Sequence, residues 1–118
     1  MEEMDLRLLE RQADICKALG NVKRLQIIYL LKGGEMTAGD IATALDTTPA
    51  NASQHLHAMK QAGILESHRQ GSNIFYRVAD DSVLDACNVI RTVLREQLKR
   101  EQSILYTTIS LAEGDPRR

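Results

Sequence analysis

The chain has 118 residues, enough for one domain with a hydrophobic core and too few for two. At 43% hydrophobic and 26% charged it is too apolar for a disordered chain, and its longest apolar run, Ile27 to Leu31, is far short of the ~20 residues of a membrane span. The formal net charge of −1 hides a polarity: Glu2, Glu3, Asp5, Glu10 and Asp14 outnumber Arg7 and Arg11 at the start, whereas Ala50 to Val78 sets Lys60, Arg69 and Arg77 against Glu66 and holds all 3 histidines. An anionic partner is expected to meet that middle stretch.

Other classes recede on composition. The mixed-charge opening does not read as a signal peptide, so a cytoplasmic location and no membrane partner are expected. The 2 cysteines cannot form a disulfide framework or a four-thiolate zinc site. The aromatics are Tyr29, Phe75, Tyr76 and Tyr106 with no Trp, too few for a stacking platform for single-stranded nucleic acid.

In chain order, Leu6, Leu9, Ala13 and Cys16 fall at helical spacing over Asp5 to Leu19, and Gly20 stops that helix. Asn21 is a good cap for a second helix running to about Lys32, with Leu25, Ile28 and Leu31 on one face and Gly33-Gly34 behind it. Thr37, followed three residues on by Asp40, opens a short third helix carrying Ile41, Ala42 and Leu45. Thr48-Pro49 places a hydroxyl cap before a first-turn proline, predicting a fourth helix to about Ala62 that Gly63 closes. Ile64 to Arg69 and Ile74 to Ala79 flank Gln70-Gly71-Ser72-Asn73 as a β-hairpin. A long last helix is expected over Ser82 to Leu111, with Val83, Cys87, Ile90, Leu94, Gln97, Glu101 and Ile104 stepping by four and three. At ~1.5 Å per residue it would span ~45 Å, more than the domain needs internally. It reads as a dimerisation helix, or as a solvated tail beyond about Leu98.

The fold class expected is mainly α with a small β-hairpin. Two helices separated by Asp46-Thr47 have helix-turn-helix spacing, and a hairpin directly after them makes a winged helix-turn-helix over a single 1–118 domain. The second helix of such a pair enters the DNA major groove by its N-terminal end. On a wheel of Pro49 to Ala62, Ala52, Leu56 and Met59 point inward, while Ala50, Asn51, Gln54, His57 and Gln61 lie opposite. Asn and Gln can pair bidentately with adenine, and a small Ala can meet a thymine methyl. Thr47 and Thr48, with the helix amides, would hold a phosphate. Ser53 and His55 are placed on the DNA side with Asn51 and Gln54. Arg69, Gln70, Ser72, Asn73 and Arg77 suit a wing lying along phosphates.

His55 and His57 lie about 200° apart on a helix and cannot share a metal ion. No catalytic grouping, phosphate loop, metal site or cofactor site stands out, so the chain is not expected to be an enzyme.

These residues carry a family resemblance. Lys17-Ala18-Leu19-Gly20-Asn21 with Lys23-Arg24-Leu25-Gln26-Ile27 resembles the second-helix entry of ArsR/SmtB-type repressors. Ser53-Gln54-His55-Leu56 and Ala62-Gly63-Ile64-Leu65 resemble their recognition helix and its exit, and Arg69-Gln70-Gly71 with Phe75-Tyr76-Arg77 resembles their wing. The resemblance, over roughly Asp14 to Asp80, implies a homodimeric repressor of double-stranded DNA whose first and last helices form the interface and whose inducer lowers DNA affinity.

Its known inducer sites are incomplete here. Where metal sensors of the family carry Asp-x-His in the last helix, this chain has Asp80 and Ser82, with Val93 and Glu96 further along. The third helix has no cysteine, and Tyr29 stands where persulfide sensors place one in the second helix. Cys16 and Cys87 remain, either as packing residues or as a thiol switch answering an oxidant, a reactive sulfur species or a thiophilic ion. The alternatives are a winged-helix module that binds protein and a DNA-binding repressor that needs no ligand.

Overall fold

A computed structural model of the chain describes residues 5–113, except the side chains at 105, 106 and 108–113. Glu2 and Glu3 of the acidic opening and the Tyr106 side chain lie outside the described residues. The elements run α1 (Leu6–Leu19), α2 (Val22–Leu31), β1 (Met36–Thr37), α3 (Ala38–Ala44), α4 (Pro49–Gln61), β2 (Leu65–Gln70), β3 (Asn73–Val78) and α5 (Asp81–Glu113). Five helices with a small antiparallel sheet make this a winged helix-turn-helix fold.

Local chemistry sets most boundaries. Asp5, Asn21, Thr37 and Thr48 each accept a hydrogen bond from a backbone N–H in the first turn of the helix they precede. α3 and α4 both end in a Schellman motif. After α3, Asp46 N–H donates to Thr43 and Thr47 N–H to Ala42; after α4, Gly63 N–H donates to Lys60 and Ile64 N–H to Met59. The motif needs a left-handed residue, and it is Gly63 (φ 79°) in one case and Asp46 (φ 51°) in the other.

The hairpin joins Gln70 to Asn73 through Gly71-Ser72, and Gly71 at φ 65° occupies the first central position of a type II′ turn. The sheet has one strand more than the hairpin expected from sequence. β1 pairs antiparallel with the free edge of β3, Met36 opposite Tyr76 and Thr37 opposite Phe75, giving the order β1-β3-β2. A strand of two residues has no alternation to detect, and its partner lies far along the chain.

The chain divides into two compact units, one reaching Leu84 and one starting at Asp85. In the first, Ile27, Ile28 and Leu31 of α2, Ile41 and Ala42 of α3, Leu45, and Ala52, Leu56 and Met59 of α4 are buried with Ile64 and Leu65. Burying each large side chain contributes about 1.5–3 kcal/mol. The inward face expected for α4 is the buried one. Leu25 is not on the buried face of α2; Ile27 takes that place. The apolar stripe of α1 also differs from a core stripe, since Leu6, Leu9, Ala13 and Cys16 are exposed and only Ala18 is buried. The second unit is helical, the continuation of α5, with Cys87 buried and Val89, Ile90, Val93, Leu94 and Leu98 exposed. No described helix is long and apolar enough to cross a membrane.

Candidate nucleic-acid interface

α4 is fixed at both ends and along one side. Thr48 Oγ1 accepts from the Asn51 N–H at 3.1 Å, Pro49 occupies the first turn, and Gly63 closes the far end. With Ala52, Leu56 and Met59 in the core, the helix cannot rotate without exposing them. The face left to solvent carries Ala50, Ser53, Gln54, His57 and Gln61. Lys60 is exposed as well, toward the C-terminal end, so the small polar side chains suited to base edges are those of the N-terminal half.

Two side chains expected on that face are engaged elsewhere. Asn51 is half-buried, and its amide donates to Thr47 Oγ1 at 2.7 Å, tying the first turn of α4 to the residue before its cap. His55 is half-buried too, and its Nδ1 accepts from Arg24 Nε of α2 at 3.1 Å. Burial, then the nearby charges of Arg24 and Lys23, hold His55 below the ordinary histidine value. The wheel places Asn51 on the outer side and His55 on the flank beside Met59, and both found partners from segments the wheel does not include.

The wing is only partly a cationic surface. Arg69, Gln70, Ser72 and Asn73 are exposed around its tip, and Arg69 has no acidic partner among the described residues. Arg77 faces Glu66 directly across the hairpin, its Nη2 at 2.9 Å and Nε at 3.0 Å from Glu66 Oε2. His68 donates from Nε2 to Glu35 Oε2 at 2.6 Å and stacks on Phe75 with ring centroids 5.5 Å apart. That contact ties the wing to the segment entering β1. No sequence signal links Glu35 to His68.

The candidate sensor thiols differ. Both are free; Cys16 is exposed on α1, and Cys87 is buried on α5, where burial pushes its thiol up. Asp80 accepts from the Ser82 N–H at 2.8 Å, and this bond lowers its carboxyl below the usual range. Among the described residues no group of three or more His, Cys, Asp or Glu side chains is placed to hold a metal ion.

A capped helix seated by its apolar face behind a short turn, with a hairpin beside it, defines the DNA-binding class of winged helix-turn-helix proteins. Residues 21–67 match the family described as bacterial regulatory protein, arsR family. The chain is 39% identical over 75 residues to the transcriptional repressor SdpR of Bacillus subtilis, covering 64% of this chain and 83% of that one. It is 38% identical over 91 residues to the HTH-type transcriptional regulator Rv0324 of Mycobacterium tuberculosis, covering 77% of this chain but only 40% of that longer relative. Among solved structures it resembles a homodimeric winged helix-turn-helix DNA-binding domain from Mycobacterium bovis, a possible ArsR-family regulator, with a TM-score of 0.75, 35% identity, and coverage of 85% of this chain and 95% of that one. The chain belongs to the arsR family of bacterial transcriptional regulators, a family without enzymatic activity.

Proposed function

We propose that this protein is a homodimeric transcriptional repressor that binds an inverted-repeat operator through α4 and the wing. The observation that carries the reading is the α4 face itself: a seated helix presenting Ala50, Ser53, Gln54 and His57 outward, with Arg69 exposed on the wing that follows. Gln54 is the residue best suited to read a base, because its amide is exposed near the helix N-terminus. Thr47, Thr48 and Asn51 shape the helix entry, and Arg69, Gln70, Ser72 and Asn73 lie along phosphates. A regulator of this kind works where the DNA is, in the cytoplasm.

Dimerisation rests on the homodimeric neighbour and on apolar surface. Ile90 is 65% exposed and Leu94 49% exposed on α5, and on α1 Leu6 is 67% exposed. Apolar side chains at helical spacing and this exposure suit a second copy of the chain. Two recognition helices then meet half-sites about one or two helical turns apart.

Release by an inducer is assigned to the thiols. Oxidation by hydrogen peroxide joins the two sulfurs, the two thiol protons leaving with the reduced peroxide as two waters. Exposed Cys16 is the thiol that meets the oxidant, and a Cys16–Cys87 link, within one protomer or across the dimer, would fix helices that set the spacing of the recognition helices.

Selection from a random duplex library tests the reading. An inverted repeat, bound by a dimer with affinity falling steeply as salt rises, is the expected result. Recovery of no preferred duplex, with salt-insensitive capture of a protein partner by the same α4 face, identifies an interaction module instead. Unchanged affinity after oxidation, in the parent protein and in Cys16→Ser and Cys87→Ser, leaves a repressor that no thiol controls.

A further inference from the structure

The Arg24–His55 contact joins α2 to the recognition helix across 31 residues of sequence. Arginine has no acceptor atom and stays charged, so a ring nitrogen facing it must carry a lone pair. Arg24 Nε donates to His55 Nδ1 at 3.1 Å, and Arg24 Nη1 lies 3.4 Å from the Ala18 carbonyl at the end of α1, so the guanidinium is anchored at two points. A neutral imidazole whose Nδ1 accepts must hold its proton on Nε2. That N–H has no hydrogen-bond partner among the described residues, although the ring is half-buried. It sits one residue beyond Gln54 and two before His57, at the edge of the exposed face of α4.

We infer that Arg24 is a positioning residue for DNA binding: it fixes His55 as the Nε2–H tautomer, and this N–H donates to a phosphate oxygen of the bound duplex. The inference rests on the DNA-binding reading above. It fits the charge environment, since Arg24 and Lys23 on α2 both oppose a second positive charge on the ring. It also gives His55 an energetic signature unlike that of Arg69. A neutral donor to phosphate strengthens binding to every sequence but releases no counter-ion of its own, so it leaves the salt slope alone.

Three substitutions separate the parts. In His55→Asn the carboxamide oxygen takes the place of Nδ1 and keeps the bond to Arg24 while the distal donor is lost. In His55→Gln the amide N–H reaches the Nε2 position and needs no tautomer to be set. Arg24→Met keeps the apolar stem and removes the donor; Arg24→Lys serves the same purpose should Arg24→Met fold poorly. Affinity is measured by fluorescence anisotropy for the selected duplex and a random duplex of equal length, across a salt series.

His55→Asn is expected to lose about tenfold on both duplexes with the same salt slope, the size of one hydrogen bond to a charged group. His55→Gln should keep most of the affinity. Arg24→Met should cost a similar factor alone and little when combined with His55→Gln. Imidazole-nitrogen NMR of the parent protein at neutral pH should show His55 as Nε2–H, and Arg24→Met should mix the tautomers. A proton on Nδ1, independent effects of the Arg24 and His55 substitutions, or a changed salt slope in His55→Asn overturns the proposal while the DNA-binding reading stands. Failure of the parent protein to bind any duplex removes that reading, and this inference with it.

Discussion

α4 and α5 are both amphipathic helices, yet they are stabilised in different ways. α4 has 13 residues, caps at both ends, and Ala52, Leu56 and Met59 with no exposed surface. α5 has 33 residues, and beyond Cys87 the large apolar side chains among its described residues are exposed. A short helix in water is marginal, so α4 exists because tertiary packing and capping hold it. In the proposed dimer, a second copy of the chain covers the exposed apolar face of α5. On that reading one helix is finished within the protomer, and the other by assembly.

The sharpest way to break this contrast is to truncate both faces. Leu56→Ala should lower unfolding free energy by about 2–5 kcal/mol at every protein concentration, since it leaves a cavity in the protomer core. Ile90→Glu should instead abolish self-association in sedimentation velocity while barely changing the far-ultraviolet spectrum of the dilute protein. A stability loss from Ile90→Glu that ignores concentration would mean the α5 face is already satisfied within one chain.

Next in size are the DNA contacts. Gln54→Ala should cost about 1–3 kcal/mol at one base position, read by comparing operator variants. Arg69→Ala should weaken all duplexes alike and reduce the salt slope by about one. Equal losses on operator and random DNA for Gln54→Ala would take base reading away from that side chain.

Capping effects are smaller. Thr48→Ala should lower stability by about 1 kcal/mol in urea melts, because the Asn51 N–H loses its acceptor. Asp46→Ala should lose about 1 kcal/mol from its left-handed backbone, whereas Asp46→Gly should not, since glycine adopts that conformation freely. A loss in both variants would assign the role to the Asp46 carboxylate.

The smallest expected effect is that of pH. His55 in the folded protein sits below its unfolded value, because burial and then Arg24 and Lys23 disfavour the charged ring. The unfolded chain therefore takes up the proton more readily. Stability is full above the ordinary histidine value and falls as pH drops through it toward the lowered folded value. Thermal melts from neutral to mildly acidic pH should show that decline, reduced in His55→Asn. An identical decline in the variant would point to another group.

What could be read from sequence follows the range of the interactions. Thr48-Pro49, Gly63 and Gly71-Ser72 act on their own neighbours, and the helix, its end and the hairpin turn follow from them. The inward positions of α4 follow from helical period alone. The departures involve partners distant in sequence. β1 owes its existence to β3, His68 answers Glu35 at a separation of 33, and His55 answers Arg24. Asn51 is the exception, a local bond to Thr47 that a wheel starting at Pro49 does not contain. The candidate interface was therefore legible as a face but not residue by residue, because polar side chains choose between solvent and partners that only folding supplies.

The pairing of Arg77 with Glu66 bears on how such a protein searches for its site. Directly opposed on neighbouring strands, the two charges move as one neutral unit, so the wing meets a duplex with Arg69 as its unpaired cation among the described residues. Each phosphate contact from a free cation lengthens residence on arbitrary DNA. In the DNA-binding reading, a wing carrying its own counter-ion shortens those stops. The protein then samples more of the genome per unit time, and the dwell at the operator is left to the base-reading face of α4.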